Sequence, residues 1–264
     1  MHDVEAKELE KKPRLFYGWY IVLASFLAHL SYAEQNSSVL GLFIRPMTRE
    51  MGWSRTALTG AQSVARLVEG VCAPVLGPFI DRYGPRPLML IGAVIVGFSF
   101  LWLSQIRTIW DFYMMKGFAV AVGFLFMGFM VTNTAISNWF VRLRGRAIGI
   151  AGMGTSLANI AMAPVAAWMM TRWGWRSVWA AFGVFTWVVV LLPSGLLMRR
   201  RPEDVGLKPD GDDSSPDQPS RSENLNPASL GDTEGKEAVW NRREAMGTRA
   251  FWLIVGTFSI SSFA

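Results

Sequence analysis

The sequence predicts an all-α polytopic membrane protein, and three observations carry that prediction. Hydrophobic residues make up 51% of the chain, with 12 Trp and 17 Phe, while charged residues are held to 17%, a balance that soluble globular chains rarely reach. Six apolar segments lie within the first 198 residues, each long enough to cross a hydrocarbon core, which needs roughly 20 residues of helix. Basic residues gather at the ends of those segments, where the membrane orientation rule puts them. That placement, more than the net charge of +6, argues for membrane lipid as a partner and against nucleic acid. Cys72 stands alone inside an apolar helix, so the chain has no disulfide framework and no metal-ligand spacing; a small apolar filler is its plain reading.

Taken in order, residues 1–16 are polar and mixed in charge, and read as a short cytoplasmic tail. Residues 17–198 form the expected six-helix transmembrane bundle. Its first apolar stretch, 17–44, is too long for a signal-peptide core. The second half carries His29, Ser31, Tyr32, Glu34, Gln35, Asn36, Ser37 and Ser38; lipid does not accept that cluster, so it must face protein or water. Residues 45–53 read as a loop, and Ser54 as the N-cap of the second helix. There Gln62, Arg66 and Glu69 follow at spacings of four and three, which places them on one helical face. At 1.5 Å per residue Arg66 lies roughly 18 Å from Ser54, near the bilayer midplane.

The third helix, 87–106, is nearly featureless and is expected to be a lipid-facing scaffold. The fourth, 110–138, has Lys116 near its start and Thr132, Asn133 and Thr134 in its second half. A basic hairpin, Trp139 to Arg146, leads into the fifth helix. There Ala147, Ala151, Thr155, Asn159, Ala163 and Ala167 recur every fourth residue and predict a stripe for close helix packing. Gly174-Trp175-Arg176 marks the next turn, and the sixth helix runs to about 198. With the amino terminus inside, 18 Lys and Arg fall on inner segments against 6 on outer ones, so a cytoplasmic amino terminus in the plasma (inner) membrane is expected.

Residues 199–249 hold 11 acids against 9 bases and read as a largely disordered cytoplasmic linker, with a short amphipathic helix around 236–246. Apolar sequence resumes at Phe251 and stops at Ala264. Residues 250–264 are therefore expected to be the start of a seventh membrane helix, too short to cross by themselves.

The second and third helices are joined by Gly77-Pro78-Phe79-Ile80-Asp81-Arg82-Tyr83-Gly84-Pro85-Arg86. Charge packed between two greasy runs cannot lie in hydrocarbon, so this stretch predicts a tight hairpin at a membrane face. It resembles the signature loop of the major facilitator superfamily, G-x-x-x-D-R-x-G-x-R, with Gly77, Asp81, Arg82, Gly84 and Arg86 on matching positions. Pro85 and Pro87 stand where many members carry basic residues. Six helices, a linker and the start of a seventh are similar to the amino-terminal half of a twelve-helix facilitator. The resemblance implies a carboxy-terminal six-helix half as partner. Further stretches resemble the monocarboxylate-porter and oxalate/formate-antiporter branch: Tyr17-Gly18-Trp19-Tyr20, Gly52-Trp53-Ser54-Arg55, Trp139 to Arg142 with Arg144-Gly145, Gly174-Trp175-Arg176, and Arg201-Pro202-Glu203-Asp204-Val205-Gly206-Leu207-Lys208-Pro209-Asp210-Gly211. One departure matters. Animal carriers of that branch have a functional lysine near the position of Asn36, so lactate-like selectivity does not carry over.

In such folds substrate binds near the midplane between two bundles, and intramembrane ionisable residues are the first candidates for binding and coupling. Arg66 could hold a carboxylate in bidentate fashion or form a structural pair with Glu69 or Glu34. Glu34 and Glu69 are candidate proton carriers or packed, paired acids. Lys116 reads first as snorkelling to the outer headgroups, the alternative being attraction of anions into an outward-facing cavity. His29 reads as a hydrogen-bonded core histidine. Tyr32, Asn36, Asn133 and Asn159 are cavity-lining hydrogen-bonders or polar glue between helices. Asp81 is expected to pair with Arg142 or Arg144, or to cap a helix of the other half. With Arg82 and Arg86 it would form a cytoplasmic gate biasing inward- and outward-open states.

The leading expectation is a secondary active transporter of a small organic anion, a mono- or dicarboxylate, working by proton coupling or exchange. The alternatives are efflux of amphipathic or aromatic compounds and, from another class, a membrane receptor or sensor. No nucleophile–base set, nucleotide loop or cofactor motif is present to suggest an enzyme.

Overall fold

The computed structural model describes residues 16–32, 37–211 and 247–248. Glu34, Asn36, the linker from 212 to 246 with its expected amphipathic helix, and the segment from 250 onward lie outside the described residues. The chain divides into two compact units, Met1–Asp213 and Ser214–Ala264; in the second, only the turn at 247–248 is described.

The described part of the first unit is helical, without strands. Helix α1 is Gly18–Leu30, α2 Ser37–Met51, α3 Arg55–Tyr83 and α4 Pro85–Leu103. Helix α5, Ile109–Trp139, contains a π turn at Tyr113–Ala119 and a break at Gly128. The 54-residue run Arg144–Leu197 reverses at Gly174, where φ is 79° and ψ 168°, giving α6 (144–173) and α7 (175–197).

Polar contacts sort these helices into crossings. Tyr17 Oη donates to the Leu197 carbonyl at 3.1 Å, Arg200 Nη2 to the Asp81 carbonyl at 2.6 Å and Asn138 Nδ2 to the Arg200 carbonyl at 3.3 Å. Residues 17, 81, 138 and 197–200 therefore share one end, called here the signature end. At the far end, Arg176 meets Glu50 Oε1 at 3.0 Å through Nη2 and the Ser104 and Ile106 carbonyls at 3.1 and 3.2 Å through Nη1. The polypeptide thus passes between the ends six times, with α1 and α2 sharing the first crossing.

Local chemistry sets the boundaries. Ser54 caps α3, its Oγ accepting from the Ala57 N–H at 3.1 Å, as its sequence position suggests. The signature stretch is almost wholly helical: α3 runs to Tyr83, α4 begins at Pro85, and Gly84 alone makes the reversal with φ 80° and ψ 171°. That backbone region is essentially reserved for glycine, and Gly174 repeats it at the far end.

Helix α4 departs from the lipid-facing scaffold expected of it. Met89, Ala93, Val96 and Phe100 are fully buried, while Ile91, Val94, Phe98 and Trp102 face outward. The small residues of an apparently plain helix are its packing surface. A Cβ on Gly92 would stand 2.6 Å from the Gly123 carbonyl oxygen, and one on Gly183 would stand 2.7 Å from that of Gly97; the Gly97 position lies directly against the Trp187 indole. Phe100 also joins the aromatic core, with ring centroids 5.4 Å from Trp179, which in turn stacks on Phe43 at 4.2 Å.

Two further expectations need correction. Residues 45–51 are helix rather than loop, despite Pro46 inside α2; Val39, Leu40, Phe43 and Met47 are all buried and hold that helix to the bundle. The every-fourth-residue stripe on α6 does not form one packing face. An α-helix turns about 100° per residue, so a repeat of four drifts by roughly 40° per step. Ala147 and Ala151 are buried, but the face continues through Gly154 and Ala158, leaving Thr155 half-buried and Asn159 exposed.

A Cβ at Gly174 would meet nothing within 4 Å, so Gly174→Ala isolates the backbone cost of the turn. Reversible unfolding in mixed micelles is expected to show a loss of about 1–3 kcal/mol. Gly97→Ala, which must also displace Trp187, is expected to lose more; equal stability of wild type and Gly174→Ala would show that the turn geometry is not strained.

Candidate functional site

A cavity of about 470 Å³ lies among four crossings and is lined by Tyr32, Arg66, Glu69, Gly70, Ala73, Phe124, Leu125, Gly128, Phe129, Met130 and Thr155. Three residues singled out in the sequence, Tyr32, Arg66 and Glu69, thus line one cavity. Arg66 Nη1 donates to Glu69 Oε2 at 3.2 Å, and the Arg66 side chain remains 64% exposed. The i,i+3 spacing puts the two side chains within reach of each other on one helical face. A guanidinium carries five N–H donors, and this pair uses one of them.

Where it lines the cavity, α5 is broken. Gly128 takes an extended conformation, φ −82° and ψ −174°. The Phe124 carbonyl accepts a 2.6 Å hydrogen bond from Tyr32 Oη, so a phenol from the first crossing caps it at the break. A Cβ on Gly128 would run into that hydroxyl and stand 2.7 Å from the Phe124 carbonyl oxygen. The helix restarts with the Gly128 carbonyl accepting from the Val131 and Thr132 N–H groups, both at 3.0 Å. Phe129 and Met130, which line the cavity, form the first turn of the restarted helix, whose N–H groups have no acceptor within it.

His29 braces the break from behind. Its Nδ1 lies 2.9 Å from the Ala151 carbonyl and its Nε2 2.9 Å from Thr132 Oγ1. A carbonyl only accepts, so Nδ1 carries the donated proton; in the neutral ring, Nε2 accepts from the Thr132 hydroxyl. With its ring 4.1 Å from Phe129, His29 is the buried, hydrogen-bonded core histidine expected. Sequence reasoning missed Gly128 and Thr155. An isolated glycine in a helical run was the available signal for the first.

Lys116 does not snorkel. It is fully buried, with Nζ 5.9 Å from the Trp179 ring centroid. Phe112, Lys116, Val120 and Phe124 are all inside, and the wider π turn keeps this i,i+4 set on one face. Asn133 Oδ1 is buried with no hydrogen-bond partner among the described residues. Neither Asn133, Asn159 nor Lys116 is part of the cavity wall.

At the signature end Asp81 is exposed, and its carboxylate makes no ion pair among the described residues. Arg144 Nε instead donates to Ser137 Oγ at 2.6 Å, so the expected Asp81–Arg144 contact is not made. Arg86 Nη2 donates to the Gly195 carbonyl at 2.7 Å, and Arg82 lies over the Tyr83 ring. Arg142 is exposed, and its backbone N–H bonds Asp210. Among the described residues no group of His, Cys, Asp and Glu could hold a metal ion.

At the far rim, beyond the apolar part of α2, Glu50 accepts from the Trp175 indole at 2.6 Å and from Arg176. The indole first, then the guanidinium, hold its carboxyl below the ordinary carboxylate range.

A polytopic helical bundle with a mainly apolar cavity that a few polar side chains enter is an architecture in which small-molecule sites are found. The Major Facilitator Superfamily model matches residues 19–264, and the chain belongs to that family. It is 26% identical over 184 residues to monocarboxylate transporter 11 of Mus musculus, covering 69% of this chain and 40% of that protein. It is 26% identical over 175 residues to the uncharacterized MFS-type transporter YcxA of Bacillus subtilis (strain 168), covering 66% and 42%. With the fujikurins efflux protein of Gibberella fujikuroi it shares 32% identity over 111 residues, covering 41% and 24%. The chain spans about two fifths of the length of the curated transporters that head these matches.

Tyr32→Phe leaves the Phe124 carbonyl without its donor and is expected to lower stability by about 1–2 kcal/mol. Gly128→Ala should be worse; thermal unfolding of the two variants against wild type ranks them. A depressed carboxyl contributes stability above its unfolded pKa and loses it as pH falls through the folded value. The Glu50 contribution should therefore be intact at neutral pH and fade as pH drops below the ordinary carboxylate range. Midpoints measured from pH 7 to 3 should converge for wild type and Glu50→Gln at the acid end and diverge at the neutral end.

Proposed function

We propose that this chain supplies one of the two helical bundles of a secondary active transporter that carries a small organic anion, a mono- or dicarboxylate, by alternating access. The observation that carries the reading is Arg66: a largely exposed guanidinium on the wall of the bundle's cavity, with most of its donors outside the pair with Glu69. A carboxylate accepts two parallel N–H bonds from such a fork. The helix restart at Phe129 and Met130 adds a positive helix end among the lining residues. Glu69, sharing the guanidinium, is the candidate site for a coupled proton: protonating it would release Arg66 to the substrate.

The names of the monocarboxylate transporter relatives support the substrate class, and the share of their length that this chain spans supports a second bundle as partner. The basic bias of the inner segments supports a cytoplasmic amino terminus in the plasma membrane. A second reading, export of aromatic or amphipathic compounds, is supported by the 32% identity to the fujikurins efflux protein and by the Tyr32, Phe124 and Phe129 side of the cavity.

The test is uptake of radiolabelled lactate, pyruvate and oxalate into vesicles carrying the full-length protein, with and without a pH gradient. Saturable uptake of at least one is expected, reduced about tenfold or more by Arg66→Ala and largely by Arg66→Lys, since a point charge does not replace a fork. Export of dyes with no carboxylate uptake would replace this reading with the efflux one.

A further inference from the structure

The segment after α7 folds back over the signature end and is held there by contacts that the cavity does not explain. Trp139 Nε1 donates to the Arg199 carbonyl at 3.3 Å and Asn138 Nδ2 to the Arg200 carbonyl at 3.3 Å, so the end of α5 grips the backbone of 199–200. Arg200 in turn reaches α3, its Nη2 2.6 Å from the Asp81 carbonyl, while its stem lies against Gly84, where a Cβ would stand 3.1 Å from Arg200 Cδ. A 3₁₀ turn at Pro202–Val205 follows, stabilised by the Arg201 N–H on Asp204 Oδ2 at 3.2 Å, and Gly206 at φ 70° redirects the chain.

The path ends at Asp210, which holds a left-handed backbone with φ 59° and ψ 0°, unusual for a residue other than glycine. Its carboxylate collects three successive backbone N–H groups: Val141 and Arg142 on Oδ2 at 3.0 and 2.6 Å, and Leu143 on Oδ1 at 3.3 Å. These are the residues between α5 and α6, immediately before α6 begins at Arg144. Successive N–H groups converging on one anion form a backbone nest, and here the anion belongs to the same chain. One strap thus joins α7, α3, α5 and the entry of α6.

We propose that Asp210 is a positioning residue whose grip on 141–143 makes the signature ends of α3, α5, α6 and α7 move as one block. The inference about rigidity rests on the fold alone; its consequence for turnover rests on the transport reading above. During alternating access a bundle must rock without its own helix ends sliding past one another. A strap anchored at both ends, by Asn138 and Trp139 on one side and by Asp210 on the other, supplies that rigidity at the face where the signature stretch turns.

The full-length protein in lipid nanodiscs decides the matter by hydrogen exchange. In Asp210→Ala the amides of 141–143 should exchange at least about tenfold faster, and those of 80–84, which Asp210 does not touch, about threefold or more faster. Gly206→Ala, which strains the strap while its Cβ has free space, should move both sets in the same direction by less; it also keeps the test alive if Asp210→Ala misfolds. A change confined to 141–143 would reduce Asp210 to a local cap and overturn the proposal. So would unchanged exchange in both variants. In vesicles, uptake of the same labelled carboxylates should slow several-fold in Gly206→Ala with unchanged half-saturation. If wild type moves none of these probes, the transport reading fails while the exchange result still decides the strap.

Discussion

A helix that stops inside a membrane bundle leaves backbone groups that water cannot reach, and most of what is specific to this chain follows from how those groups are partnered. The break at Gly128 is the central case. The Phe124 carbonyl is met by the Tyr32 phenol, and at the restart the Val131 and Thr132 N–H groups donate to the Gly128 carbonyl while the Thr132 hydroxyl meets His29. A buried carbonyl left without a donor costs about 1–2 kcal/mol, so the hydroxyl that the first crossing supplies at that depth steadies the break. The cavity's lining contains the break, the phenol that bridges it and the Arg66–Glu69 pair.

Close packing is the second condition. Helices approach one another through Gly92, Gly123, Gly97, Gly183 and Gly154, where a single added carbon would collide with a neighbouring carbonyl, ring or methyl group. Lipid tails are as apolar as leucine, so burial alone gives helices no reason to associate, and van der Waals contact at small residues takes over. The plain composition of α4 is therefore informative: its glycines and alanines put it in the interior, with the aromatic set around Trp179 closing the far half.

Much of this was legible in the residues. Ser54 before α3, Gly84 and Gly174 at the reversals, and Arg66 with Glu69 at i,i+3 all act through rules that depend only on near neighbours in sequence. The misreadings arise where distant residues decide. Residues 45–53 read as a loop, but Phe43 and Met47 are buried and hold α2 in place as far as Met51. Lys116 looked able to reach a headgroup, yet the π turn keeps it in line with Phe112, Val120 and Phe124 on the inner face. The fourfold repeat on α6 was real as a pattern and wrong as a surface, because 3.6 residues per turn carries it around the helix. Gly128 gave only a faint sign, since a glycine in a membrane helix is as often a packing contact as a break.

The folding back of residues 199–210 also bears on how the chain meets proteases. Arg199, Arg200 and Arg201 form a run that trypsin would attack in an open segment, yet the carbonyls of the first two accept hydrogen bonds from Trp139 and Asn138. A scissile peptide must be drawn out as an extended strand before it can enter a protease cleft, and here that means peeling the run off the end of α5. The arginine run thus becomes a built-in gauge of attachment: its resistance to digestion reports whether residues 199–210 still lie against the end of α5.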